Sequence, residues 1–134
     1  MFEKLAHVGV AVKDVDAASK VFSRLLNIDT GEIEVVAEQK VKLAFFHVGG
    51  TSIELTGAVS PDSAIAKFIE KRGEGVHHLS FEVTDIEAEL GRLKAEGFNL
   101  IDEQPRRGAG DTLIAFLHPK STNGVLVEII QKRE

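Results

Sequence analysis

The chain has 134 residues, 43% of them hydrophobic, which suffices for one globular domain or for two small halves sharing a core. A net charge of −5 argues against a general nucleic-acid binder, and no apolar run approaches the ~20 residues of a membrane span. With no Cys, disulfides and thiolate ligands are excluded, so any metal site must draw on His, carboxylates or amides.

Met1-Phe2-Glu3-Lys4-Leu5 passes directly into a strand-like pattern rather than a signal peptide, so a cytoplasmic protein is expected. From Leu5 to Val12 the residues alternate, with Val8, Val10 and Val12 on one face and His7, Gly9 and Ala11 on the other. Asp14 fits an N-cap for a helix over Val15 to Leu26, with Ala18, Val21, Phe22 and Leu25 at helix spacing. Strands are expected at Thr30 to Val36 and Val41 to Val48. Gly49-Gly50 then turns the chain into a returning strand, Thr51 to Thr56. Ser60-Pro61 predicts a helix start, with Ala64, Ile65, Phe68 and Ile69 as its apolar stripe and Gly73 and Gly75 ending it.

A second strand follows from Val76, where Leu79, Phe81 and Val83 alternate with His78, Ser80 and Glu82. Thr84-Asp85-Ile86-Glu87 reads as a capping box for a helix that Gly97 closes. Phe98 to Ile101 is expected as a short strand and Gln104 to Asp111 as a loop. Thr112 to Leu117 and Gly124 to Gln131 complete the set as strands.

Strand, helix and then strands thus occur twice. His7 and His78 are 71 positions apart, as are Asp14 and Asp85, and Phe45-Phe46-His47 and Phe116-Leu117-His118. Ile53-Glu54-Leu55 and Val127-Glu128-Ile129 are 74 apart, the difference falling in a hairpin loop that tolerates insertion. The expected organisation is one domain over 1–134. It comprises a first module of about 1–59, a connecting helix of about 60–73 and a second module of about 74–134.

The duplication singles out His7, Glu54, His78 and Glu128. His7, His78 and Glu54 lie on the strand face opposite their apolar neighbours; Glu128 interrupts the apolar run Val125 to Ile130, where a carboxylate is costly without a partner charge, hydrogen bonds or a metal. A lone strand His or Glu is ordinarily a surface or hydrogen-bonded residue. Four in matching repeat positions favour a six-coordinate divalent metal with two positions open, among Co²⁺, Mn²⁺, Ni²⁺, Fe²⁺ and Zn²⁺. His77 shares the face of Leu79 and Phe81 and reads as structural. His47 and His118 precede turns and read as hydrogen-bonding residues.

Ala6-His7-Val8-Gly9-Val10, Ile53-Glu54-Leu55, Gly75-Val76-His77-His78-Leu79-Ser80, and Phe116-Leu117-His118-Pro119-Lys120-Ser121 with Gly124-Val125-Leu126-Val127-Glu128 resemble the vicinal oxygen chelate, or glyoxalase-like, superfamily. Within it they resemble the methylmalonyl-CoA epimerase family. The resemblance implies an α+β fold of two tandem βαβββ modules, forming a curled, partly open eight-stranded barrel around a central metal. It also implies a homodimer, and a metal site of His7, Glu54, His78 and Glu128, with Co²⁺ foremost. The activity it implies is epimerisation of methylmalonyl-CoA through α-proton abstraction and a metal-stabilised enolate, with Glu128 as one proton carrier. A second acid of some members falls at Leu43 in the ungapped register, which leaves the second proton carrier unassigned. Arg107 and Lys120 are the candidates for substrate binding, among the basic residues Lys40, Lys42, Arg106, Arg107 and Lys120. The amides of Gly108-Ala109-Gly110 could also receive an anion. Two alternatives stay open: a glyoxalase I-type lactoylglutathione lyase, and a metal-free small-molecule-sequestering protein of the same fold.

Overall fold

A computed structural model describes residues 1–29 and 33–133. The elements are β1 (Phe2–Ala11), α1 (Val15–Leu26), β2 (Ile33–Val36), β3 (Val41–Val48), β4 (Thr51–Ala58), α2 (Ala64–Arg72), β5 (Gly75–Val83), α3 (Ile86–Ala95), β6 (Arg106–Arg107), β7 (Thr112–Leu117) and β8 (Val127–Lys132). The expected Thr30 start of β2 lies outside the described residues. The eight strands run in the order β2-β3-β4-β1-β5-β8-β7-β6, an α+β arrangement with the βαβββ course traced twice. Among the described residues no helix is long and apolar enough to cross a membrane.

By compactness the chain divides into two units, one spanning His7–His77 and the other joining Met1–Ala6 to the chain from His78 onward. In the first, β1 pairs parallel with β4, while β3 pairs antiparallel with both β4 and β2. One sheet face carries Val10, Ile53, Leu55, Ala44 and Phe46, which pack with Val15, Ala18, Phe22 and Leu26 of α1. The expected helix stripe is therefore rotated. Ala18 and Phe22 face the core, but Leu26 replaces Val21 and Leu25, which are exposed. Asp14 caps α1 by accepting the Ala17 N–H at 3.1 Å. Gly57 is needed where β4 passes the start of α1, because a Cβ there would lie 2.6 Å from Val15 Cγ2.

In the second unit β5 pairs parallel with β8, and β7 pairs antiparallel with β8 and β6. Val83, Ala115, Leu117 and Ile129 pack against Ile86, Leu90 and Leu93 of α3. Glu89 on α3 is buried, and its carboxylate meets the Met1 ammonium and, at 2.9 Å, Arg92 Nε. The ammonium's hydrogen bond, with help from Arg92, holds the Glu89 carboxyl below the ordinary carboxylate range, against the cost of burial.

Further local expectations shift. α2 begins at Ala64, because Ser63 rather than Ser60 accepts a helix N–H, that of Ala66 at 3.1 Å. Ser60 instead bonds the Asp62 carboxylate, which Lys40 also grips, lowering its pKa to about 2. At α3 the cap is Asp85, which accepts the Ala88 N–H at 3.1 Å, while the Thr84 hydroxyl donates to the Met1 carbonyl. Phe98 to Ile101 supplies only a single bridge, Leu100 to Leu117. Conversely, Arg106–Arg107 forms a strand inside the expected loop.

Candidate metal centre

In each unit one face of the strands carries the helix and the other carries the polar side chains. His7 projects from β1 and Glu54 from β4. The register partner of Glu54 on β1 is Gly9, two positions past His7, and on β3 it is Phe45. Gly9 offers no side chain, so the His7 ring reaches diagonally to Glu54. Nε2 lies 3.3 Å from Oε2.

The second unit repeats the device. The register partner of Glu128 on β5 is Ser80, two positions past His78, and on β7 it is Phe116. His78 Nε2 lies 3.8 Å from Glu128 Oε1, and the His78 ring stands edge-on to Phe116 with centroids 5.9 Å apart. All four pair members are buried. The small residue two places after each His, Gly9 or Ser80, escaped the sequence reading. Its signal was present, since the two are 71 positions apart. Ser80 is fully buried, and its hydroxyl finds no hydrogen-bond partner among the described residues.

Each unit therefore buries one imidazole beside one carboxylate, on strands rather than loops. Nitrogen and oxygen donors in equal number suit a borderline divalent transition ion better than Ca²⁺ or Mg²⁺, which take oxygen alone. The donor chemistry fits a divalent metal.

Residues 6–116 match the family model of the Glyoxalase/Bleomycin resistance protein/Dioxygenase superfamily. The chain belongs to that superfamily. Among its superfamily relatives, the uncharacterized protein YqjC of Bacillus subtilis is 38% identical over 97% of this chain and 93% of its own. The ethylmalonyl-CoA/methylmalonyl-CoA epimerase of Cereibacter sphaeroides is 37% identical over 98% of this chain and 99% of its own. A Ser-to-Thr variant of Streptomyces coelicolor methylmalonyl-CoA epimerase, solved with 2-nitronate-propionyl-CoA, superposes with a TM-score of 0.94 at 31% identity, over 98% and 96% of the two chains.

The remaining candidates of this superfamily member sort by register and partner. His77 packs edge-on against Phe68 at 4.8 Å, a structural role. His47 Nδ1 bonds Ser52 Oγ at 2.8 Å, and His118 Nδ1 accepts the Lys120 N–H at 3.0 Å. Lys40 is taken by Asp62 at 2.5 Å and Lys42 by Asp16 at 3.3 Å. Lys120 is exposed at the turn before β8. The Gly108 N–H is used by the Thr112 carbonyl at 3.2 Å, so that amide does not serve an anion. Leu43 is buried in register with Thr56, and its hydrocarbon side chain has no ionisable group to transfer a proton. Arg107 stands opposite Leu113, which packs with the α3 cluster, so register turns it away from the His78 and Glu128 face.

Proposed function

We propose that this chain interconverts (2R)- and (2S)-methylmalonyl-CoA, using one divalent cation held by His7, Glu54, His78 and Glu128. The observation that carries the reading is the imidazole–carboxylate pair found twice, at repeat-equivalent positions and in the same register with a Phe and a small residue. It is supported by relatives named methylmalonyl-CoA epimerases that align over nearly the whole chain.

Epimerisation removes the proton beside a thioester and returns it on the opposite face. The bound cation would supply charge stabilisation to the thioester oxygen as that proton leaves. The chain's own residues supply orientation and proton transfer. His7 and His78 hold their partner carboxylates in place from the rigid strands β1 and β5. Burial of all four keeps bulk water from competing for the substrate's carboxylate and thioester oxygens. Glu128 carries the proton on one face of the α-carbon. A water molecule carries it on the other, since Leu43 has no acidic group. Lys120 attracts the CoA phosphates. In this reading residues 1–134 act as one domain, two copies of the chain form the working unit in the cytoplasm, and Co²⁺ is the preferred ion.

The test is α-proton exchange of methylmalonyl-CoA in D₂O. Exchange is expected in the metal-loaded protein, with loss on chelation and about a thousandfold fall in His78→Ala. Exchange surviving both treatments would overturn the proposal.

A further inference from the structure

The mechanism above leaves Arg106, on the polar face of the second unit, unused. Arg106 stands in register with Ile114, and directly opposed residues of an antiparallel pair project to the same side. That side also bears Phe116, and the Arg106 guanidinium carbon lies 5.6 Å from the Phe116 ring centroid. The same ring stands edge-on to His78 and is the register partner of Glu128. One phenyl ring therefore separates the guanidinium from the His78–Glu128 pair.

The guanidinium is held from two sides. Arg106 Nε lies 3.3 Å from Asp102 Oδ1, and Asp102 Oδ2 accepts the Phe116 backbone N–H at 2.9 Å. Asp102 thus ties the arginine to the strand that carries Phe116. Beyond Arg107 the chain is pinned at Gly108, which passes so close to β7 that a Cβ would lie 2.6 Å from Ile114 Cγ2. The contact to Asp102 is made through Nε, and a guanidinium has four further N–H donors on its terminal nitrogens. Anchored and stacked in this way, the fork is pre-organised for an oxyanion, with part of the ordering cost already met.

We propose that Arg106, and not its neighbour Arg107, binds an oxyanion of the substrate; this rests on the epimerase reading. Methylmalonyl-CoA offers that chemistry twice, in its free carboxylate and in its phosphates. If the Asp102–Arg106 pair served only to close the segment onto β7, its loss would lower the melting temperature and leave affinity untouched.

The experiment compares wild type, Arg106→Ala, Arg106→Lys and Arg107→Ala in the full chain. It reads steady-state exchange of methylmalonyl-CoA, and calorimetric binding of methylmalonyl-CoA, of coenzyme A (phosphates only) and of methylmalonyl-pantetheine (carboxylate only). Arg106→Ala is expected to raise KM about tenfold to a hundredfold, as for loss of a charged hydrogen bond, with kcat changed by less than about threefold. Arg106→Lys should recover part of the loss, and Arg107→Ala should match wild type. A binding loss that persists with coenzyme A assigns the phosphates; one that appears only with the pantetheine thioester assigns the carboxylate. Normal wild-type exchange with affinities unchanged in Arg106→Ala overturns this inference alone. Failure of the wild type to exchange the α-proton overturns the epimerase reading and the inference with it.

Discussion

The two units treat one repeat-equivalent position in opposite ways. In the first, β2 sets Glu34 against Leu43; in the second, β6 sets Arg106 against Ile114. Leu43 and Ile114 are 71 positions apart, so the same place beside the third strand of each unit carries a carboxylate in one and a guanidinium in the other. Nearer the middle strands the units agree: a His, a small residue two places on, a Glu in register with that small residue, and a Phe on the far side of the Glu. The residues that set up the buried pair are repeated, while those on the outer strand have diverged in charge. Repetition marks the frame and the proposed ligands. Divergence marks where the two halves carry opposite charge.

The largest effects should fall on the repeated residues, and equally in both units. His7→Ala and His78→Ala are each expected to lower α-proton exchange about a thousandfold. A large loss in only one of the two would break the equivalence of the halves. Next come the two cores. Phe46→Ala in the first unit should cost about 3–5 kcal/mol, and Leu93→Ala in the second about 2–5 kcal/mol. Denaturant melts check both, and a cost under ~1 kcal/mol at either position would contradict the packing described. The helix caps give a smaller, matched pair. Asp14→Ala and Asp85→Ala should each cost about 1 kcal/mol, because each carboxylate accepts an N–H three residues on.

The smallest effect separates the units by pH. Only the second has the buried Glu89 held by an ammonium and Arg92. Its folded-state pKa is depressed, so its contribution is full above the unfolded value of about 4.3 and is lost as pH falls through the lower folded value. Glu89→Gln should therefore flatten the fall in melting temperature at acid pH. An acid limb identical to wild type would show that the contact adds no stability.

Much of this was legible in the chain, because periodicity and spacing are properties of sequence. α1, β3 and β7 have the expected bounds, and Asp14, followed by an uninterrupted helical run, admits only one cap. Local signals misled where two residues competed for one role. Ser60 and Ser63 both suit a cap, and their surroundings decided: Ser60 bonds Asp62, which Lys40 also grips, and Ser63 is buried at the helix start. Thr84 lost to Asp85 in the same way, because Met1 takes its hydroxyl. β6 was illegible because two adjacent arginines show no alternation and exist as strand only through pairing with β7. That pairing also separates Arg106 from Arg107, which composition cannot do. At the candidate site the two buried His–Glu pairs, proposed above as ligands, were readable from the repeat. The spacer residues Gly9 and Ser80 acquire meaning only with the parallel register that sets each beside a carboxylate.

The claim that the two buried pairs serve a single cation is tested most directly by calorimetric titration of metal-free protein with Co²⁺. Wild type, His7→Ala and His78→Ala are measured side by side. One ion per chain in the wild type, with affinity falling at least about a hundredfold in either variant, is the predicted result. Two independent ions per chain, or one ion whose binding survives either substitution, would contradict it.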